Sequence, residues 1–212
     1  MGENTETGNV IQTMTMPAES PTKKIVSLLS ILAICYMVAF VGAIAVNHSI
    51  ADWYIAIQKP SWNPPAWLFA PVWTVLYGLM GWAAWIVWES GERKTAALVW
   101  FGVQLALNGL WSWIFFYFNK LLPGFIEISI LWFAILLTAI QFGRIRPAAG
   151  WLLMPYLAWV AFAGALNFAI WRMNGQSIVG TTTIFSESQS ASSANPPAAS
   201  DTLREAPGSP GR

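Results

Sequence analysis

Five long apolar stretches make up most of the chain and limit the folds it can adopt. The first, Ile25 to Val46, is uninterrupted by any charged side chain. A helix of about 20 apolar residues crosses the ~30 Å hydrocarbon layer of a bilayer. The other stretches cover about residues 66–88, 95–118, 124–142 and 148–171. We therefore predict an all-α membrane protein, a bundle of five transmembrane helices that crosses the membrane several times.

The composition supports a membrane location and excludes several classes of site. Hydrophobic residues make up 56% of the chain and charged residues only 10%, whereas soluble domains carry about 25% charged residues. The net charge of +1 gives no support for a nucleic-acid partner, and membrane lipid is the expected surrounding. His48 and Cys35 are the only residues of their kinds. We therefore predict no metal site, no required cofactor and no catalytic residue.

Both ends of the chain differ in composition from the apolar stretches. Residues 1–24 are polar, and residues 173–212 are rich in Ser, Thr, Ala, Pro and Gly. Such segments lack the apolar surface that a packed core requires. We predict a disordered N-terminal arm (1–24), a membrane domain (25–172) and a disordered, low-complexity C-terminal tail (173–212).

The connections between the stretches are unequal in basic residues, which predicts an orientation. With five spans, one side carries Lys23, Lys24, Arg93, Lys94, Arg144 and Arg146, and the other carries Lys59, Lys120 and Arg172. Cytoplasmic loops are enriched in Lys and Arg. The N-terminal side is therefore predicted to be cytoplasmic, although the sequence does not identify the membrane.

The stretch from Gln58 to Gly81 begins as a proline-broken loop and continues as an apolar helix. Pro64 and Pro65 suit the start of a helix, and Pro71 predicts an irregular first turn. Four aromatic residues cluster there: Trp62, Trp67, Phe69 and Trp73. Two interpretations stay open. The rings form an interfacial aromatic belt, or the loop folds over a pocket between helices.

Polar amides within the apolar stretches have two interpretations as well. Gln104 and Asn108 are one helical turn apart and share a face, and Asn167 lies in the last stretch. Such amides join helices by hydrogen bonds worth about 0.6 kcal/mol on average. Together with central Trp residues and small residues such as Ala163, they also describe a cavity for a large flat ligand.

Small residues on the third stretch indicate a close helix contact. Gly102 and Ala106 form a small-xxx-small pair, and Gly109 lies nearby. Such a face either holds a homodimer or packs inside the bundle. We predict the homodimer.

Three motifs, in order and with similar spacing, resemble the TspO/translocator protein family, the tryptophan-rich sensory proteins also called peripheral-type benzodiazepine receptors. The first is Trp62-Asn63-Pro64-Pro65 followed by Pro71-Val72-Trp73, Leu76-Tyr77 and Met80-Gly81. The second is Gln104-Leu105-Ala106-Leu107-Asn108 with Trp111. The third is Pro155-Tyr156-Leu157-Ala158-Trp159 with Phe162-Ala163 and Leu166-Asn167. The similarity extends over about residues 25–172.

The resemblance implies a five-helix bundle, homodimeric in bacterial members, with a porphyrin-binding pocket under the first long loop. The residues at the matching positions would line or close it: Trp62, Tyr77, Asn108, Trp111, Trp159, Ala163 and Leu166. The ligand would be a tetrapyrrole such as protoporphyrin IX or haem. Animal members also carry a sterol-recognition stretch, but Phe168 stands where that pattern has Tyr.

The function expected from the resemblance is tetrapyrrole binding, in the role of a sensor, scavenger or transporter. The alternative is an enzyme that degrades porphyrin with light and oxygen, because tryptophans around a photosensitiser are oxidisable. Five helices with no internal repeat and few charges do not resemble an alternating-access transporter. A structural membrane protein with an incidental cleft is the remaining alternative.

Overall fold

The computed structural model describes residues 20–49, 51–91 and 94–194, and these residues form helices, turns and loops but no strand. We number the α-helices in chain order. They are α1 (Pro21–Ser49), α2 (Trp53–Ala56), α3 (Phe69–Trp88), α4 (Thr95–Ser112), α5 (Leu121–Ile145), α6 (Pro147–Leu152) and α7 (Met154–Ala194).

Five helical segments are long and apolar enough to cross a membrane, which confirms the predicted five-helix architecture. They are Pro21–Ser49, Ala66–Trp88, Thr95–Tyr117, Leu121–Ile145 and Pro147–Gly175. The second combines a 3₁₀ turn, Ala66–Leu68, with α3, and the last combines α6 with α7. Each predicted stretch therefore corresponds to one span.

The helices extend further towards both chain ends than the apolar stretches predicted. α1 begins at Pro21 rather than Ile25, since proline suits the first helical position and the Ser20 carbonyl accepts the Lys23 N–H at 2.9 Å. α7 continues to Ala194, although a tail was predicted from Met173. Helix propagation adds one hydrogen bond per residue, and no proline interrupts the chain there until Pro196. The rest of the predicted arm and tail, residues 1–19 and 195–212, lies outside the described residues.

The bundle is held by close helix contacts along α5 and between α1 and its neighbours. α5 packs against α4 and α7, while α1 packs against α3 and α4. Glycines allow two of these approaches. A Cβ placed on Gly150 of α6 would lie 2.8 Å from the Gly143 Cα of α5, and one on Gly42 would lie 3.1 Å from Ser112 Oγ. Two backbones are therefore nearly in contact at Gly150, and a side chain packs against the backbone at Gly42.

The proline-rich start of the second span is irregular, as the sequence predicted. Pro65 is extended, with φ −62° and ψ 143°, and the 3₁₀ turn follows it directly. Pro71 lies in the first turn of α3, where its missing N–H breaks no helical hydrogen bond. The chain thus changes from loop to membrane helix over the prolines.

A π-helical turn, Trp113–Tyr117, ends the third span and was not predicted. Such turns insert one extra residue into a helix. Here the rings of Phe115 and Phe116 both lie near Tyr54, with centroids 6.5 and 5.6 Å away. The turn therefore places two consecutive rings beneath the loop that carries Tyr54.

Candidate functional site

A cavity of about 470 Å³ lies among α1, α3, α4 and α7, below the loop that connects α1 to α3. Its walls are mainly apolar, and nine aromatic residues line it: Tyr36, Phe40, Tyr54, Phe69, Trp73, Tyr77, Trp111, Phe116 and Trp159. Such a volume is within the range of about 300–1,000 Å³ found for small-molecule sites. Aromatic walls with few polar groups suit a flat apolar ligand.

Five of the seven predicted site residues line this cavity: Tyr77, Asn108, Trp111, Trp159 and Ala163. The other two lie elsewhere. Trp62 is 48% exposed, and its ring meets Phe162 edge-on at 5.7 Å. Leu166 is buried in a separate cluster with Phe115 and Ile170. Phe162 in turn packs on Trp159, which lines the cavity, with ring centroids 5.5 Å apart. The Phe162 ring therefore lies between Trp62 and the cavity wall.

The four aromatic residues at the start of the second span divide between the two interpretations given for them. Phe69 and Trp73 face the cavity. Trp67 is 72% exposed and Trp62 is about half exposed. The inner pair therefore belongs to a pocket, and the outer pair has the position of an interfacial belt.

A chain of hydrogen bonds crosses the bundle beside the cavity and uses the amides singled out in the sequence. The Tyr77 hydroxyl donates to Asn108 Oδ1, and Asn108 Nδ2 donates to the Tyr156 hydroxyl at 2.7 Å. The Tyr156 hydroxyl donates to Gln104 Oε1 at 3.0 Å. These bonds join α3, α4 and α7, so Asn108 and Gln104 act as interhelical links. Asn108 also lines the cavity.

Asn167 supports the cavity wall without lining it. Its Nδ2 donates to the Leu121 carbonyl at 2.9 Å, and its Oδ1 accepts the Trp111 indole N–H at 3.4 Å. The Trp111 ring stacks on Phe115 with centroids 5.3 Å apart. Asn167 thus fixes the angle at which the Trp111 ring faces the cavity.

Tyr54 brings the loop into the cavity wall. Its hydroxyl donates to Asn63 Oδ1 at 3.2 Å, and the Lys59 ammonium lies 4.7 Å from its ring centroid. Burial raises the pKa of the Tyr54 hydroxyl above its usual value, and the bond to Asn63 opposes this rise. The hydroxyl therefore stays protonated at neutral pH and remains a donor.

The first span contributes a third of the wall, and the sequence interpretation did not assign it to the site. Its lining residues are Tyr36, Ala39, Phe40, Gly42, Ala43, Val46 and Asn47. Ala39 and Ala43, one helical turn apart, form a small-xxx-small pair of the kind that lets a neighbouring helix approach. Here they line the cavity instead, and this pair was the available signal in the sequence.

The small residues proposed for a homodimer have different surroundings. Ala106 is exposed, and a Cβ on Gly102 would meet no described atom within 4 Å. One on Gly109 would lie 3.2 Å from Val38 Cγ1 of α1. Gly109 therefore packs within the protomer, while Gly102 and Ala106 lie on the outer surface, where the dimer interface stays a prediction.

Glu127 is a buried carboxyl group inside the bundle. It is 6% exposed, and neither of its oxygens has a hydrogen-bond partner among the described residues. The side chain lies on the inner face of α5, with Ile128 and Leu131.

Comparison with known proteins gives one consistent result. The model of the TspO/MBR family matches residues 31–172. The tryptophan-rich protein TspO of Chlorobaculum tepidum is 41% identical over 155 residues, covering 72% of this chain and 98% of that protein. The translocator protein of Homo sapiens is 40% identical over 139 residues, covering 64% and 82%.

A third relative, the tryptophan-rich sensory protein of Cereibacter sphaeroides, is 36% identical over 146 residues, covering 69% of this chain and 90% of that protein. The family match includes the second, third and fourth spans, most of the first and the last, and every residue that lines the cavity. It also spans well over half of the sequence. The chain therefore belongs to the TspO/MBR family, and it is an integral, multi-pass membrane protein.

Proposed function

We propose that this protein binds a tetrapyrrole, such as protoporphyrin IX or haem, in the cavity among α1, α3, α4 and α7. The main support is the lining: nine aromatic residues, three of them Trp, surround about 470 Å³ of space. Flat conjugated rings gain from stacking and edge contacts with such walls. The family membership and the names of the relatives, translocator protein and tryptophan-rich sensory protein, agree with a sensory or transfer role.

Capture of the ligand rests on apolar contact and stacking rather than on ligation of iron. The rings of Trp73, Trp111 and Trp159 provide the flat walls, and Asn47, Thr74 and Ser112 provide polar edges. The single histidine, His48, instead packs against Tyr117 with centroids 4.6 Å apart. Porphyrin carboxylates would lie towards Asn47 and the loop, where water is nearest.

Titration of the detergent-solubilised protein with protoporphyrin IX, followed by porphyrin fluorescence, tests this proposal. Trp159→Ala should weaken binding about tenfold, because a stacking wall is lost. Trp151→Ala is the matched control, since Trp151 is 74% exposed on α6 and does not line the cavity. Equal affinities for Trp159→Ala, Trp151→Ala and the parent would reject this location for the site.

Light-driven degradation of the porphyrin is the alternative activity, and one observation favours it. Three oxidisable indole rings line the cavity in which the photosensitiser would lie. Illumination of the complex in the presence of oxygen should then remove the porphyrin absorbance and yield a new product. Recovery of unchanged porphyrin after illumination would leave binding as the function. Transport is tested separately, by the flux of porphyrin into sealed vesicles that contain the protein. Porphyrin uptake no greater than that of vesicles without the protein would exclude transport.

A further inference from the structure

The loop between α1 and α3, residues 51–65, is tied by one side chain to α7, near the end of the last membrane span. The Gln58 backbone N–H donates to Asn174 Oδ1 at 3.0 Å, and Asn174 Nδ2 donates to the Gln58 carbonyl at 2.9 Å. The same Nδ2 also donates to the Ile170 carbonyl at 2.8 Å. The Asn174 amide therefore pairs with both backbone groups of a single loop residue while its own helix fixes its orientation.

Apart from the turn that leads from Pro65 into the second span, this pair is the only hydrogen-bonded connection from the loop to a membrane-spanning helix among the described residues. The loop's other contacts with the helices include apolar packing of Ile57 and contacts between aromatic rings. Trp53 and Tyr54 lie on Phe115, at 5.7 and 6.5 Å, and Trp62 lies on Phe162. Ring contacts tolerate sliding, whereas a paired amide fixes both position and direction. Asn174 thus determines where the loop sits.

Within itself the loop is well connected. The Tyr54 hydroxyl bonds to Asn63, the Asn63 N–H donates to the Pro60 carbonyl at 2.9 Å, and the Lys59 ammonium donates to the Ile55 and Ile57 carbonyls at 3.3 and 3.0 Å. Residues 54–63 are therefore expected to move as one piece. If the two hydrogen bonds between Asn174 and Gln58 break, we expect Tyr54 to leave the cavity wall together with the other residues of this segment.

We propose that Asn174 is a positioning residue that holds this loop over the cavity and thereby slows the departure of a bound ligand. Asn174 does not itself line the cavity. The part of the inference that concerns ligand release rests on the proposed function, but the tie between loop and helix does not. An amide is required for this role, because Asp lacks the donor for the Gln58 carbonyl and would place a carboxylate oxygen against it.

The tie is tested without ligand by hydrogen exchange of the Gln58 amide in the detergent-solubilised protein. Asn174→Ala removes both hydrogen bonds to Gln58, together with the bond to the Ile170 carbonyl, and exchange at Gln58 should become about 5- to 30-fold faster. Asn174→Asp keeps an acceptor for the Gln58 N–H but loses the donor for its carbonyl, so the exchange rate should rise by an intermediate factor. This second variant keeps the test valid if the alanine variant fails to fold. Arg172→Ala, an exposed neighbour on the same helix, should exchange like the parent. Unchanged exchange in both Asn174 variants would overturn the inference.

Stopped-flow release of protoporphyrin IX tests the kinetic part. Dissociation from Asn174→Ala should be about 5- to 30-fold faster than from the parent and from Arg172→Ala. Failure of the parent to bind porphyrin would count against the proposed function, and the exchange experiment would then decide the tie alone. Fast exchange at Gln58 combined with release at the parent rate would overturn the kinetic claim.

Discussion

Asn108 shows how one residue can serve the fold and the cavity together. Its Oδ1 accepts from the Tyr77 hydroxyl and its Nδ2 donates to the Tyr156 hydroxyl, so these bonds use two of the four hydrogen-bonding positions of the amide. One amide hydrogen and one lone pair of the oxygen are left for a ligand. Asn108 can therefore join the helices by hydrogen bonds and also contact a ligand in the cavity.

Replacing Asn108 should mainly affect stability. Asn108→Ala leaves two buried hydroxyl groups short of a partner, which should lower the free energy of unfolding by about 1–3 kcal/mol. Thermal unfolding in detergent measures this change. Ser112→Ala, which also alters a polar residue in the cavity wall, should leave the transition almost unmoved. A normal transition for Asn108→Ala, with weakened porphyrin binding, would mark Asn108 as a ligand group instead.

Two residues show why the site was only partly predictable from the sequence. Leu166 and Ala163 lie close together on α7, yet only Ala163 faces the cavity. Trp62 belongs to the most distinctive motif of the chain, yet its ring packs on Phe162 outside the cavity. Motif position indicates which segments meet. Which face of a helix meets a cavity depends on packing by distant segments.

At the scale of helices, hydropathy was sufficient to locate the five spans because each must match the thickness of the hydrocarbon layer. It could not reveal that α1 completes the cavity. Ala39 and Ala43 would read identically whether a helix or an empty space lay against them. The π-helical turn was also unpredictable, since its residues have no sequence signature that separates them from an α-helix.

The corner between α5 and α6 carries a prediction at this scale. Gly150→Ala would place a Cβ 2.8 Å from the Gly143 Cα and 3.0 Å from the Ala139 carbonyl oxygen. Backbone atoms cannot move away by a change of rotamer, as a side chain can. The substitution should therefore lower the free energy of unfolding by about 1–3 kcal/mol. The measurement is the thermal transition in detergent.

Gly102→Ala is the matched control for Gly150→Ala, because the Cβ at Gly102 would meet no described atom within 4 Å. That change should be neutral or stabilising by up to about 1 kcal/mol, the helix propensity difference. Equal destabilisation by both substitutions would show that Gly102 is covered, as the predicted dimer interface requires.

For the molecule as a whole, the basic residues of the described chain separate between its two ends. Lys23, Lys24, Lys94, Arg144 and Arg146 border the spans at one end, and Lys59, Lys120 and Arg172 border them at the other. The indole N–H of Trp85 bonds to the Lys24 carbonyl at 3.2 Å, which places the start of α1 beside the end of α3. The cytoplasmic N-terminal side, predicted from this distribution of basic residues, stays a prediction.

Labelling with a membrane-impermeant thiol reagent tests the orientation in cells or vesicles of known sidedness. Cys35 is buried in α1, so the background should be low. Ser61→Cys, in the exposed loop, should react from outside, and Ser20→Cys should react only after permeabilisation. The reverse pattern would show that the loop and the cavity below it face the cytoplasm.

The extra residue held by the turn Trp113–Tyr117 has a consequence for how related chains can differ in length. Because a π-helical turn contains one residue beyond the α-helical repeat, the chain can lose a residue there and close into an ordinary helix without shifting α5. Relatives shorter by one position are therefore expected to show their gap at this point. In such chains only one of the two rings now carried by Phe115 and Phe116 would remain under the tyrosine of the loop.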